Sequence, residues 1–314
     1  MNGVISLGEA LIDFIPVDKE NKLFGKNPGG APANVAVGLA RLESRTAFIG
    51  KVGDDSLGRF LYETLSAEGI NLNNMILTKE AKTALSIVTL DEDGDRSFDF
   101  FGEKSADRLL NSDEIDEELF GDYKIFHFGS ISMINEISRK ATLYALDLAD
   151  KADMYISYDP NLRKSLWDDL EKAKKIIKAV LGQVDILKLS KEELDFLTGF
   201  EGIEEGAEQI KNKNQISLVL ITDGDKGVYF YKDKLIHVPA QKVKAVDTTG
   251  AGDAFVSAFL NRIDNSDKKL EEMSNQVIED ICEFANYCSA LVVKKEGAMS
   301  KLPQKEDVKE FLNK

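Results

Sequence analysis

The chain predicts an α/β fold, a central and mostly parallel sheet covered by helices on both faces. Three observations carry that expectation. Apolar runs of strand length recur at Val4–Leu7, 47–49, Ile125–Phe128, 154–158, 186–189 and 218–221. Stretches with apolar residues at helical spacing and charge on the opposite face fall between most of them, at 34–41, 57–68, 138–149, 170–181 and 204–212. The length of 314 residues, 43% hydrophobic and 30% charged, supplies a substantial core. Strand and helix runs alternating in this way imply a parallel sheet covered by helices on both faces, and ligands of such sheets bind beyond the carboxyl ends of the strands.

Two segments, 14–24 and 83–101, depart from this rhythm. Their alternating side chains and the turn Asp91-Glu92-Asp93-Gly94-Asp95 predict antiparallel hairpins in a small sheet standing apart. Near the ligand-binding end of the main sheet, that small sheet would serve as a lid excluding water, with Phe98, Phe100 and Phe101 needing something to cover. The alternative is a pair of surface hairpins. No internal repeat, long linker or low-complexity tract divides the chain, so residues 1–314 read as one domain carrying the lid strands.

A formal charge of -15 argues against nucleic acid or an anionic membrane surface as the main partner. It does not exclude a nucleotide, which backbone dipoles, a few cationic side chains and a divalent cation can hold. Cys282 and Cys288 lie in a helix-like stretch and read as small buried hydrophobes suited to a reducing cytoplasm. The chain opens directly on a strand, without a basic n-region and long apolar h-region, and no apolar run approaches membrane-spanning length. A soluble, cytoplasmic protein is the expectation.

The segment Asp247-Thr248-Thr249-Gly250-Ala251-Gly252-Asp253-Ala254-Phe255 concentrates the chemistry. Phe255, Val256, Phe259 and Leu260 form the apolar stripe of a helix. Gly250, Ala251 and Gly252 would therefore sit where backbone N–H groups lack intrahelical partners, an end that attracts anions. Asp253, in the first turn, would reach a substrate hydroxyl lying beside a bound phosphate, so a base and an anion cradle share one turn. The alternative is an ordinary strand-to-helix turn with a favourable first-turn carboxylate. A second constellation follows the first strand: Gly8-Glu9-Ala10-Leu11-Ile12-Asp13, then Pro28-Gly29-Gly30-Ala31-Pro32-Ala33-Asn34 leading into a helix. Asp13, Asn34 and the Gly29-Gly30 pair offer the fixed donors, acceptors and bare backbone that a polyol requires. The alternative is a turn capped by Asn34.

Other signatures are missing: there is no Gly-x-x-x-x-Gly-Lys-Ser/Thr loop, no Gly-x-Gly-x-x-Gly and no Gly-x-Ser-x-Gly. His127 and His237 read as strand or edge packing. The acidic run from Asp91 to Asp95 resembles the start of a calcium loop, but Arg96 stands where the turn glycine belongs.

Together, Gly-Gly-Ala-Pro-Ala-Asn-Val-Ala and Asp-Thr-Thr-Gly-Ala-Gly-Asp resemble the two signatures of the ribokinase-like, or PfkB, sugar kinases, in order and at family-like spacing over residues 8 to 303. The resemblance implies that Asp253 is the general base and that Gly250, Ala251 and Gly252 form the anion hole. It implies sugar-binding roles for Asp13, Gly29, Gly30, Asn34, Asn161 and the lid residues Phe98 and Phe100. It places Arg163, within Asp159-Pro160-Asn161-Leu162-Arg163, near the phosphate or substrate. On the nucleotide side it implies Lys188, Ser190, Glu193, Thr222, Gly224, Gly227 and Asn286, with Gly297 bordering the adenine as well. Ser190 departs from the Asn of the family's Asn-x-x-Glu element, in which Glu193 organises magnesium through water. Many relatives also bind a monovalent cation, here K+ at Asp247 and Thr249, while Lys301 falls where ribokinases carry a small polar ligand.

Within the family, the runs Ile125-Phe126-His127-Phe128-Gly129-Ser130 and Ser105-Ala106-Asp107-Arg108 are most similar to fructokinases. That similarity implies transfer of the γ-phosphoryl group of ATP, with Mg2+, to the 6-hydroxyl of D-fructose. Relatives often carry a Tyr-Arg pair before the Ser-Ala element, and this chain has Phe101-Gly102-Glu103-Lys104 instead. A 2-keto-3-deoxygluconate kinase would want a cation there. A non-catalytic sugar sensor would tolerate loss of the base, and Asp253 is intact. Lid strands pairing between subunits would give a homodimer.

Overall fold

Strands buried on every residue, as Val4–Leu7 and Ile125–Phe128 are, require both faces of their sheet to be covered, and this governs the architecture. The computed structural model describes residues 2–18, 20–90, 96–101, 104–295 and 297–312. The strands are β1 (Val4–Leu7), β2 (Leu11–Pro16), β3 (Phe24–Gly29), β4 (Thr46–Gly53), β5 (Met75–Thr78), β6 (Leu85–Leu90) and β7 (Arg96–Phe101), followed by β8 (Ile125–Phe128), β9 (Tyr155–Tyr158), β10 (Ile186–Ser190), β11 (Leu218–Thr222), β12 (Gly227–Tyr231) and β13 (Leu235–Pro239). The helices are α1 (Ala31–Arg41), α2 (Ser56–Ala67), α3 (Glu136–Lys151), α4 (Leu170–Ala179), α5 (Lys191–Thr198), α6 (Ile203–Asn214), α7 (Ala251–Asp264), α8 (Asn275–Val292) and α9 (Lys305–Leu312).

Nine strands make the main sheet in the order β13-β12-β11-β10-β9-β8-β1-β4-β5. It is parallel from β11 to β5, and the hairpin of β12 and β13 adds an antiparallel edge. Alternation within single strands shows the two-sided burial. Ile5 and Leu7 of β1 join the core under α3, α5 and α6, while Val4 joins the opposite core under α1, α7 and α8. On β11, Val219 and Ile221 face the first core, and Leu218 and Leu220 face the second.

Winding proceeds from β1 outward to β4 and β5, then returns to β8 on the other side of β1 and continues to β11. The order therefore reverses between β1 and β8, and their carboxyl ends open the crevice where such sheets bind ligands.

The separate sheet has the order β3-β2-β6-β7. β2 with β3 and β6 with β7 are antiparallel hairpins, joined by a parallel pairing of β2 with β6. The hairpin expected at 14–24 is longer than the sequence suggested. Leu11 pairs with Gly29, so 14–24 covers only the inner half of β2, the connection and the first residue of β3. The polar, glycine-containing run Phe24-Gly25-Lys26-Asn27-Pro28-Gly29 hides β3 from a hydrophobic-pattern reading. The acidic turn at 91–95 lies outside the described residues.

Helices α1 and α7 cross closely because Gly38 has no side chain: a Cβ there would overlap the Ser257 hydroxyl. Gly38 lies four residues after Asn34, and Ser257 four after Asp253, so this crossing sets how near those two side chains come. Gly38→Ala is expected to lower unfolding free energy by about 1–3 kcal/mol through overpacking. Adding Ser257→Gly is expected to return part of that loss, with urea unfolding of both variants as the check.

Candidate active site

The crevice at the β1/β8 reversal receives the N-termini of two helices. β3 ends at Gly29, Gly30 caps α1 with φ 100°, and a Cβ on Gly30 would overlap the Glu9 carbonyl. Pro32 near the start of the helix needs no N–H, and Asn34 follows one turn in. Opposite, Gly250 caps α7 in the left-handed region with φ 81°, and Asp253 lies in the first turn. Asn34 Nδ2 donates to Asp253 Oδ2 at 2.7 Å, bridging residues 219 positions apart. Asn34 is therefore not a cap. Its Oδ1 is buried without a protein partner among the described residues, an acceptor that a ligand hydroxyl would satisfy.

Two cavities meet at this point. The smaller, about 70 Å³, is lined by Asp13, Gly30, Asn34, Asn161, Arg163, Thr249, Gly250 and Asp253. The larger, about 410 Å³, lies under the lid and shares Glu9, Leu11, Phe100 and Ile131 with it. Content rather than size distinguishes them: Asp253 and the N-terminus of α7 are in the smaller. Phe100 is the lid contact common to both, Phe101 lines only the larger, and the side chain of Phe98 lies outside the described residues. Ser86 donates its hydroxyl hydrogen bond to Asp13 Oδ1, linking β6 of the lid to the cavity wall. A Cβ on Gly29 would overlap the Asp13 carboxylate, so the bare backbone keeps that acid in place.

Charge is concentrated here. Burial foremost, with the Asp159 carboxylate adding, pushes Asp253 up to about 6, while the Asn34 hydrogen bond and the Arg163 and Lys188 cations oppose the shift. Lys188 Nζ pairs with Asp159 Oδ2 at 3.0 Å, and a Cβ on Gly252 would stand 3.3 Å from that ammonium. A cation thus flanks the first turn of α7. Burial pulls Lys188 down, but Asp159 and Glu193 outweigh it and the net direction is upward, so it stays charged. Asn161 takes φ 47°, and its N–H is held by Asp159 Oδ1 at 3.2 Å, which turns the chain so that Asn161 and Arg163 both line the smaller cavity. Ala251 N–H donates to Thr248 O at 3.1 Å, which tightens the turn before the helix.

The remaining expected residues lie away from these two cavities. Ser190 caps α5, its Oγ accepting from Glu193 N at 3.2 Å, and Glu193 Oε2 accepts from Ser190 N at 2.7 Å in a capping box. Glu193 Oε1 accepts from Leu162 N at 2.6 Å, so this side chain joins α5 to the Arg163 segment. Burial, then Asp159, raises its pKa. Thr222 ends β11, and Gly224 and Gly227 form the turn into β12, with φ 55° and 106°. Asn286 spends its amide hydrogens on Val238 O and Pro239 O, at 3.1 and 3.2 Å, tying α8 to β13. His127 bonds Ser157 Oγ at 3.1 Å, and burial pulls it down to about 4, as its strand-packing reading expects. Both cysteines are buried and free.

Glu9 is a site residue that nothing in the linear sequence singles out. It is 3% exposed and lines both cavities. Its Oε1 accepts from Ala31 N at 3.1 Å, while Oε2, like Asp107 Oδ1, is buried without a protein partner among the described residues. Burial, with Asp107 and Asp253 adding, pushes it up to about 8. Only the fold could reveal this, since Glu9 and Asp107 are 98 positions apart in the sequence.

A doubly wound sheet, two facing helix N-termini and a lid over a polar cleft define an α/β enzyme that handles a small polar substrate. Comparison with known proteins names the kind. The family model described as pfkB family carbohydrate kinase matches residues 1–305. The chain is 43% identical to fructokinase-1 of Zea mays over 317 residues, covering 99% of this chain and 98% of that one. The fructokinase of Vibrio cholerae O395, solved with fructose, ADP and calcium ion bound, superposes with a TM-score of 0.90 at 37% identity, covering 99% of each chain. A double mutant of it was solved with fructose, ADP and potassium ion. The fructokinase of Xylella fastidiosa with bound ATP gives a TM-score of 0.92 at 32% identity, covering 99% and 98%. This chain belongs to the PfkB family of carbohydrate kinases.

The folded chain holds a proton on Glu9 that the unfolded chain releases above its ordinary value of 4.5. The stability Glu9 contributes therefore falls as pH rises from about 4.5 to about 8. Glu9→Gln, which does not titrate, is expected to melt progressively higher than the wild type between pH 5 and pH 8. Parallel melting curves across that range (about 4.5 to 8) check it, and a constant difference would refute the buried-acid assignment.

Proposed function

We propose that this kinase transfers the γ-phosphoryl group of ATP to the 6-hydroxyl of D-fructose. The observation that carries the reading is the convergence of Asp253, Asn34, Asp13 and Arg163 on one small cavity beside the N-terminus of α7. The relatives named fructokinase, and the neighbours solved with fructose, ADP or ATP, support the substrate pair.

In this reading the sugar lies between Asp13 and Asn34 with its reacting hydroxyl at Asp253. Asp253 takes the proton as the oxygen attacks phosphorus. With a value of about 6 it is ionised at neutral pH and still basic enough to accept that proton. With the Ala251 N–H already given to Thr248 O, the Gly250 and Gly252 N–H groups of the turn, Lys188 and Arg163 would meet the charge on the transferring group, where positioning and electrostatics do most of the work. The lid, with Phe100 over the cavity, excludes water.

Among the described residues no cluster of three or more His, Cys, Asp or Glu builds a metal cage, which suits a magnesium ion arriving on the nucleotide. Both Glu193 oxygens already accept backbone N–H bonds, so this carboxylate would hold such an ion through water. When bound, magnesium neutralises phosphate charge.

The acid-rich wall favours a neutral sugar over a sugar acid or phosphate ester. Arg108 lines the larger cavity with the Asp107 carboxyl beside it, while Glu9, which holds its proton at neutral pH, adds no charge there. The same reading makes the four-stranded sheet a lid on one kinase domain working in the cytoplasm. No helix of the described residues is long and apolar enough to cross a membrane. A homodimer through the lid is supported by Leu23, just before β3, and by Phe24 and Phe101 on the outer strands, exposed at 63%, 37% and 52%. Light scattering is expected to give twice the chain mass, and a monomer mass would discard the dimer.

ADP release with Mg-ATP is expected to favour fructose clearly over ribose, 2-keto-3-deoxygluconate and fructose 6-phosphate. Preference for another sugar would reassign the pocket, and silence on all four would refute the reading. Asp253→Asn is expected to cut kcat by about 10²–10⁴ while sugar binding persists. Because only the ionised carboxylate accepts a proton, wild-type kcat/KM should rise with pH and level off above about 6.

A further inference from the structure

Asp247 and Thr249, the residues to which the family resemblance assigns a monovalent cation, immediately precede the turn at Gly250. The described chain already supplies a cation there. Lys301 Nζ lies 3.0 Å from Asp247 Oδ2 and 3.4 Å from the Asp247 carbonyl oxygen. Its side chain is 2% exposed and that of Asp247 1%. Asp247 Oδ2 also accepts from Gly297 N at 2.9 Å, and Oδ1 accepts from Thr249 N at 2.9 Å. Backbone hydrogen bonds from Thr249 and Gly297 and the ion pair with Lys301 outweigh burial and hold the carboxyl below its ordinary range.

Burying a lysine and an aspartate together brings little stability on balance, because desolvation of both charges consumes the attraction. What the pair does achieve is positional. It clamps the loop 247–250 to the loop 297–301, and Ala298 of the second loop packs on Gly250, where a Cβ would meet Ala298 Cα at 3.2 Å. The left-handed cap of α7, and with it the N–H groups beside Asp253, is thus set from both sides. An ammonium carries the charge of a potassium ion and donates to the same oxygens. Tethered to the chain, it forfeits no translational freedom on taking its place.

We propose that Lys301 is a built-in replacement for the monovalent cation, a positioning residue that holds the anion-hole turn and makes turnover independent of potassium. This rests on the kinase reading of the Gly250-Ala251-Gly252 turn. The Vibrio cholerae double mutant binds potassium ion, so the proposal separates this chain from that neighbour.

The first test uses the wild type, with fructose and Mg-ATP supplied free of potassium and sodium. Its rate is expected to be unchanged when potassium chloride replaces choline chloride at constant ionic strength. A severalfold rise would overturn the proposal, and this arm requires no variant to fold. The second test uses Lys301→Ala in choline chloride, where kcat is expected to fall by roughly tenfold to a hundredfold as the turn loses its position. Potassium or ammonium chloride is expected to restore most of it. Loss without rescue by either cation would mean a merely structural lysine, and no loss would mean an idle one; each overturns the proposal. Melting without substrates is the independent readout: potassium should raise the melting temperature of Lys301→Ala and leave the wild type unmoved. Because this readout needs no turnover, it separates failure of the Lys301 assignment from failure of the sugar-kinase reading. A potassium-induced shift in the wild type, or none in the variant, would count against Lys301.

Discussion

The hydrogen bond from Asn34 to Asp253 is the point on which the site depends. It joins two helix N-termini from opposite ends of the chain, and its 2.7 Å length requires α1 and α7 to cross without a side chain between them at Gly38. The two helices pack side by side over one face of the parallel sheet, so their N-termini reach the same edge of it, at the β1/β8 reversal. A carboxylate in the first turn of one helix has no fixed place relative to the other helix unless both are held by packing. Packing of α1 against α7 thus carries geometry from the core into the chemistry.

Burial of acids is the second organising feature. Asp253, Glu9 and Glu193 all have raised pKa values, with burial the largest cause of each. Lys188 prevents this concentration from becoming prohibitive by pairing with Asp159 beside Gly252. The same ammonium therefore stabilises the carboxylates before the reaction and stands where a phosphoryl group would bring more negative charge. An acidic chain accommodates a polyanionic substrate locally in this way, while its net charge of -15 remains a property of the outer surface.

Much of this was legible beforehand for identifiable reasons. Buried parallel strands such as Ile125–Phe128 and 218–221 announce themselves because apolar residues dominate them, a polar one such as His127 needing a buried partner. Asp253, the glycines around it and Asn34 could be singled out because a small-residue turn opening a helix has few uses. β3 escaped detection, since its hydrogen bonds to β2 tolerate Lys, Asn and Gly. Asn286 and Glu193 read as site residues by position, and the fold adds contacts that no linear reading shows: Asn286 Nδ2 ties α8 to β13, and Glu193 Oε1 joins α5 to the Arg163 segment.

By itself the sequence determined the class of fold, the family and the Gly250-Ala251-Gly252 turn that opens α7, because periodicity and turn chemistry are local and survive in a linear reading. Tertiary structure alone decided which polar atoms meet. Glu9 faces Asp107, Lys188 reaches Gly252, and Lys301 reaches Asp247 across 54 positions of chain. A buried charge draws its meaning from whatever partner the fold places within a few ångströms, and sequence separation says nothing about that distance.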